Sequence, residues 1–550
     1  MTTNTKESGF ESLIVNWLVK QNGYEQGTNS DYNKEYAIDE TRLFRFLQDT
    51  QPEQLEKLGV RKSHQKYTQF LNRLQGEISK RGIVDVLRNG IKVYPADLIM
   101  FYLTPSEGNE KAKEMFRKNI FSVIRQLRYS QDAAKLALDL CVFINGLPVA
   151  TFELKNQITK QNTDDAVQQY KDDRDSRDLL FSFKRCMVHF AVDDARIKFC
   201  TKLAGKDSWF LPFDKGYNDG AGNPPNPDGI MTDYLWKDIL TKEKLTLIIE
   251  NYAQVVVEVD EDTKKKKEKQ IFPRYHQLDV VTKLLADVKA NGVGKKYLIQ
   301  HSAGSGKSNS IAWLAHQLIG LEQDGHPMLD SVIVVTDRRI LDKQIRDTIK
   351  QFMQVSNTVA WAEHSGDLTK AITDGKRIIV TTIEKFPYIV PQIGAEHKNN
   401  HFAIIIDEAH SGQSGRNSAQ MNLALSGLAS DDEMDNEDKI NAMMEGRKLL
   451  NNASYFAFTA TPKNKTLETF GVPYQDGDAI KHRPFHVYTM KQAIQEGFIL
   501  DVLKYYTPID SFYKLMKTVE DDPMFDKKRA QKKLRSFVES DSYTIAKKAA

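Results

Sequence analysis

The sequence predicts an α/β protein of two unlike parts in series, the second of them built on a parallel sheet. Three features carry that expectation: short apolar runs alternating with helical stretches after Phe272, a hairpin signal at Asn145-Gly146, and a block of charge between the two regions. At 550 residues the chain is also too long for one ordinary domain, since domains run to about 150 residues.

Composition narrows the class. With 40% hydrophobic and 27% charged residues the composition is that of a soluble globular protein, which excludes a wholly disordered chain, a collagen and a disulfide miniprotein. Lys+Arg 77 against Asp+Glu 74 leaves a formal charge of +3, so any nucleic-acid surface must come from local charge placement. Cys141, Cys186 and Cys200 are too dispersed for a disulfide framework or a cysteine zinc site, and fit a reducing compartment. The start, Met1–Gly9, is polar and has no signal pattern. The longest apolar runs, Ser331–Val335 and Phe402–Ile406, are far below the ~20 residues of a membrane span. The expectation is a soluble, cytoplasmic protein without membrane contact.

The elements follow in order. A first region over residues 1–259 contains a Gly-, Asn- and Pro-rich loop at Gly216–Gly229. The run Asp260–Gln270 has nothing apolar to bury and reads as a charged linker. A parallel-sheet lobe is expected over 271–475, with an acidic surface insertion at Ser430–Asp438, and a further lobe begins over 476–550.

In the first region, Leu136–Lys155 reads as a β-hairpin, because Asn145 and Gly146 both tolerate the positive φ of a two-residue turn. Glu153 and Lys155 are two apart on a strand and share a face. A clean two-residue turn pairs 144 with 147 and puts Asp139 and Glu153 on opposite faces; an odd-length loop or one bulge brings them together. We predict the bulge or odd loop on chemical grounds. Two carboxylates and a lysine on one face can hold a divalent metal, Asp139 and Glu153 as ligands, with Lys155 orienting the nucleophile or stabilising charge, for phosphodiester cleavage. The competing reading is a Glu–Lys ion pair on an outward strand face.

In the second region, Lys296–Gln300, Ser331–Thr336, Arg377–Thr381, Phe402–Asp407 and Tyr455–Thr459 read as buried parallel strands, linked by helices such as Leu278–Ala290. Ligands bind at the carboxyl ends of such strands. There stands Gln300–Ser308, a phosphate loop in which Gly304, Ser305 and Gly306 bring backbone N–H groups to phosphates. Lys307 reaches the β/γ oxygens of ATP and Ser308 ligates Mg²⁺. His301 occupies the place of the first glycine of the strict pattern. At the end of another strand, Asp407-Glu408-Ala409-His410 supplies Asp407 for the same Mg²⁺ and Glu408 to polarise the attacking water. Gln277, in Arg274–Gln277, suits adenine recognition. Thr336–Arg339 and Thr381-Thr382 suit a nucleic-acid backbone, and Phe458–Pro462 suits a link between nucleotide state and grip.

In this order these segments resemble the first RecA-like lobe of a superfamily-two helicase or translocase, which implies ATP as fuel and nucleic acid as substrate. The hairpin, with Asn145–Pro148 and Glu153–Asn156, resembles the PD-(D/E)xK nuclease of type I restriction enzyme R subunits. So do Phe10-Glu11, Gly23-Tyr24, Arg128–Ser130, Gln168–Lys171 and Phe210–Phe213. The resemblance covers essentially the whole chain. It implies that Asp139, Glu153 and Lys155 are the nuclease residues, that Glu11 and either Gln168 or Gln169 complete the site, and that double-stranded DNA is the substrate. It also implies partner modification methyltransferase and specificity subunits. No Gln-x-x-Gly-Arg-like segment for an arginine finger follows Thr461, so the chain is expected to be an N-terminal portion that binds ATP but hydrolyses it poorly alone. Two other readings stand beside the restriction endonuclease and translocase: a helicase or remodelling ATPase with a non-nucleolytic first domain, and a truncated ATP- and DNA-binding product without turnover.

Overall fold

Two seven-stranded sheets organise the protein. The structure, a computed structural model, describes residues 7–106, 108–131, 136–157, 160–259, 264–336, 349, 359–361, 365–382, 400–407 and 452–501. Phe498 closes the compact unit that begins at Met1.

The first sheet is mixed and runs in chain order. Its strands are β1 (Glu25–Gly27), β2 (Phe121–Leu127), β3 (Leu138–Ile144), β4 (Leu147–Leu154), β5 (Val188–Val192), β6 (Ile197–Cys200) and β7 (Leu211–Pro212). Alternation along β3 sorts its side chains: Leu140, Val142 and Ile144 enter one core, and Cys141 and Phe143 another. Helix α1 (Glu7–Lys20) covers the first face with Phe10, Ile14 and Leu18, one turn apart. Helix α2 (Thr163–Asp173) covers the second with Ala166 and Tyr170. Every residue of β4 is buried, as befits a strand with both faces covered.

The hairpin between β3 and β4 has the expected irregularity. Asn145 and Gly146 have φ of 50° and 80°, a two-residue turn that pairs Ile144 with Leu147 and Phe143 with Pro148. The register then shifts, so that Val142 pairs with Ala150 and Leu140 with Phe152. Val149 is the extra residue of a bulge, and every pair beyond it changes face.

The stretch 260–270 is not a free linker throughout. Strands β8 (Gln254–Val259) and β9 (Lys266–Ile271) form an antiparallel hairpin, and the Gln270 amide donates to Cys186 O at 2.7 Å and Met187 O at 2.8 Å. Its lysines face solvent while the ladder satisfies its backbone. Beyond it come α3 (Tyr275–Asn291), β10 (Lys296–His301), α4 (Lys307–Leu318), β11 (Ser331–Thr336), β12 (Val359–Trp361), β13 (Ile378–Thr382), β14 (Phe402–Ile406), β15 (Ala453–Thr459), β16 (His486–Tyr488) and α5 (Met490–Gln495).

The second sheet has the order β12-β13-β11-β14-β15-β10-β16, with every neighbouring pair parallel. Residues 486–488, expected in a further lobe, are therefore an edge strand of this sheet. A short strand beside β10 satisfies that strand's second edge, which a sequence break near 476 does not foretell. The Gly216–Gly222 loop of the first region lies on α5: Ala221 N–H donates to Gln495 Oε1 at 2.7 Å and Lys491 Nζ to Asn218 O at 3.0 Å. Among the described residues no helix is long and apolar enough to cross a membrane.

Candidate nuclease and nucleotide sites

The Val149 bulge sets the first site. Since Leu140 pairs with Phe152, Asp139 stands opposite Glu153 on one face of the hairpin. Asp139 Oδ2 accepts the Leu154 N–H at 2.8 Å, and its Oδ1 accepts the Gln126 amide at 3.0 Å. The same amide donates to Glu11 Oε2 at 3.1 Å, and Arg125 Nε donates to Glu11 Oε1 at 2.6 Å. Glu11 of α1 thereby joins Asp139 through one shared donor. Gln126 reaches both because its φ of 45° turns it out of the regular strand.

Glu153 is fully buried. Its Oε1 accepts Arg174 Nε at 2.6 Å, while Oε2 has no hydrogen-bond partner among the described residues. Burial, and then the neighbouring Asp139, push this carboxyl above the usual carboxylate range, against the pull of Arg174 and Lys155. Lys155 is 8% exposed, just past the end of β4, with its N–H on Val192 O at 2.8 Å. Gln168 turns away: it is exposed and donates to Asp172 at 2.7 Å, while Gln169 is half-buried on α2. Arg174 and Gln126 belong to this site by contact alone, since neither carries a signal in the sequence.

No group of three or more His, Cys, Asp or Glu in metal-binding arrangement occurs among the described residues. Two carboxylates, however, are what Mg²⁺ takes from protein, the rest of its octahedron being water and phosphate. Asp139 with the orphaned Glu153 Oε2 is a donor set that fits that ion.

The second site lies at the carboxyl edge of the parallel sheet. β10 runs into the loop Ser302–Gly306, and α4 begins at Lys307, so Lys307 and Ser308 occupy a helical first turn facing the loop. Gly304 and Gly306 have φ of 72° and 74°, and a Cβ on Gly306 would lie 2.5 Å from Gln277 Nε2. Three side chains ahead of and within α3 hold the loop's carbonyls. Arg274 donates to Gly304 O at 2.8 Å, His276 Nε2 to Ser305 O at 2.9 Å, and Gln277 to Ser305 O and Gly306 O, both at 3.1 Å. A planar peptide sets its N–H opposite its C=O, so anchored carbonyls turn the N–H edge to the loop's other side.

Gln277, the candidate adenine reader, has its Nε2 on the loop carbonyls and its Oε1 on Arg274 N–H at 3.0 Å, and the residue is 3% exposed. His301, in place of a glycine, is fully buried, and its Nε2 meets His486 Nδ1 of β16 at 2.8 Å; His486 Nε2 meets Asp279 at 3.0 Å. Asp407 follows β14, buried, with its N–H on Val335 O at 2.9 Å. Thr336, Thr381 and Thr382 are buried at neighbouring strand ends. Glu408, Asp337–Arg339 and Ser430–Asp438 lie outside the described residues.

A mixed-sheet domain with an acidic pair, followed by a parallel-sheet lobe with a phosphate loop, defines a nuclease-like and motor-like class of chain. Residues 4–208 match the family model of the type I restriction enzyme R protein N terminus, and residues 276–534 that of the SWI2/SNF2 ATPase. Among its relatives is the putative type I restriction enzyme MjaIXP endonuclease subunit of Methanocaldococcus jannaschii, 25% identical over 88% of this chain and 44% of that one. The type I restriction enzyme HindI endonuclease subunit of Haemophilus influenzae is 22% identical over 79% of this chain and 41% of its own. The SauMRSORF196P endonuclease subunit of Staphylococcus aureus is 24% identical over 94% and 49%. The chain spans less than half the length of these relatives. The first region is thus similar to the N terminus of type I restriction enzyme R proteins, and the second to the SWI2/SNF2 ATPase.

Proposed function

We propose that the chain is the cutting and DNA-pulling part of a type I restriction system, acting in the cytoplasm on unmodified double-stranded DNA beside methyltransferase and specificity subunits. The first region, about 1–259, cuts, and the lobe from 271 uses ATP. The observation that carries the reading is the Val149 bulge. It sets Asp139 opposite Glu153 and leaves Glu153 Oε2 without a donor among the described residues, in a chain that also carries a phosphate loop. A surface ion pair does not require a buried face.

Asp139 and Glu153 would hold Mg²⁺, which when bound lowers the pKa of a coordinated water and neutralises phosphate charge. Leu154 N–H and the Gln126 amide keep Asp139 in one rotamer. Lys155, on the same face, orients the nucleophile and balances the charge gathered on the phosphate. At the second site Lys307 meets the β/γ-phosphates, Ser308 and Asp407 hold Mg²⁺, and Glu408 aligns water.

The test is plasmid cleavage by the assembled complex with Asp139→Ala and with Lys155→Ala. Both should abolish cutting and leave ATP binding intact. Mg²⁺-dependent cleavage that survives both substitutions refutes the nuclease assignment.

A further inference from the structure

We propose that Arg174 is the positioning residue of the nuclease site, acting through Glu153 to hold one carboxylate oxygen toward the divalent cation. The proposal rests on the reading that this site cuts DNA. Arg174 caps the C-terminal end of α2 with extended backbone, φ −107° and ψ 90°, which turns its side chain back over the sheet. Its guanidinium contacts three segments. Nε donates to Glu153 Oε1 at 2.6 Å, one terminal nitrogen to Tyr129 Oη at 3.1 Å, and the other to Ala137 O at 2.8 Å. Ala137 lies two residues before Asp139, so one rigid planar group registers the approach to one acidic residue and the carboxylate of the other.

The pattern of contacts argues against a purely structural tie. An arginine that only stabilises a carboxylate does best with a two-point grip on both oxygens. Here the side chains are 2% and 0% exposed, yet only Oε1 is used and Oε2 has no hydrogen-bond partner among the described residues. A buried carboxylate oxygen left bare is costly unless another group takes it. The remaining guanidinium nitrogens are committed to Tyr129 and Ala137, so they do not turn to Oε2. Tyr129 is itself fixed, its ring packed edge-on against Phe181 at 4.7 Å. The arrangement pins one oxygen and leaves the other for a cation.

The experiment measures Mn²⁺ binding to the nucleotide-free chain by electron paramagnetic resonance, beside cleavage by the assembled complex. Asp139→Asn should abolish the Mn²⁺ site. Arg174→Met should weaken it at least tenfold. Arg174→Lys, which keeps the charge but not the fork, should fall between. In cleavage, Arg174→Lys should lower kcat with the KM for DNA unchanged, and raised Mg²⁺ should restore its rate. If Arg174→Met does not fold, Arg174→Lys decides. An Asp139-dependent Mn²⁺ site with wild-type affinity in the arginine variants overturns the positioning role alone. A Mn²⁺ affinity indifferent to Asp139→Asn overturns the nuclease reading and this proposal with it.

Discussion

Replacing Gln277 by alanine separates two roles that its position allows. Its amide makes three hydrogen bonds, to Ser305 O, Gly306 O and from Arg274 N–H. At about 1 kcal/mol net for each, and more where buried carbonyls are left bare, Gln277→Ala should destabilise the lobe by about 2–4 kcal/mol. The same loss frees the Gly306 carbonyl and leaves the Ser305 carbonyl on His276 alone, so the loop pays an ordering cost whenever it closes on phosphate. The loss belongs to the phosphates and not to the base. ATP, GTP and inorganic tripolyphosphate should therefore each bind at least about tenfold more weakly, which is about 1.4 kcal/mol. Fluorescent-nucleotide titration, with tripolyphosphate as competitor, measures all three. If ATP weakens while GTP and tripolyphosphate bind as in wild type, the glutamine reads adenine and the loop-holding argument is wrong.

Two further outcomes follow from burial. His189 is buried and bonded to Thr151 at 2.7 Å, and burial pushes its imidazole down to about 3. The folded state thus resists protonation that the unfolded chain accepts. Its contribution is complete above about pH 6.5 and falls with pH toward 3, by about 1.4 kcal/mol per unit. Between pH 7 and pH 5 this histidine's share of the loss is about 2 kcal/mol, so urea melts of His189→Gln should lose less than wild type by that amount; an equal loss in the variant contradicts this. Gly146→Ala meets backbone on both sides, Asp39 O at 2.3 Å and Leu43 N at 2.6 Å from the new Cβ, at φ 80°. It should cost about 2–4 kcal/mol in denaturant unfolding, and a loss under about 1 would mean that the helix Glu40–Thr50 moves aside freely.

What the sequence makes legible is local or periodic. The parallel strands show as apolar runs because both faces of that sheet are covered, and the phosphate loop shows because glycines with positive φ must sit at its turns. The bulge is legible by a different route. Asn145-Gly146 dictates one register, the acidic pair demands the other, and one inserted residue reconciles them; no local signal marks Val149 as that residue. The edge strand β16 is too short for any period to announce, so its pairing with β10 emerges only in the fold.

Arg174 and Gln126 were hidden for a related reason. Arg174 is 21 residues from Glu153, on another element, and nothing in Asp173-Arg174-Asp175 distinguishes it from a solvated helix end flanked by carboxylates. Only the crossing of α2 over the sheet decides that it goes inward while its acidic neighbours stay near water. Gln126 depends on a backbone turn inside an otherwise regular strand. Metal-facing carboxylates can be guessed from their chemistry, because a cation demands them. The groups that aim those carboxylates answer to tertiary geometry, and a chain can supply them from wherever the fold brings a donor close. Spacing therefore finds the acids of such a site, and substitutions at their donors test whether the acids are aimed.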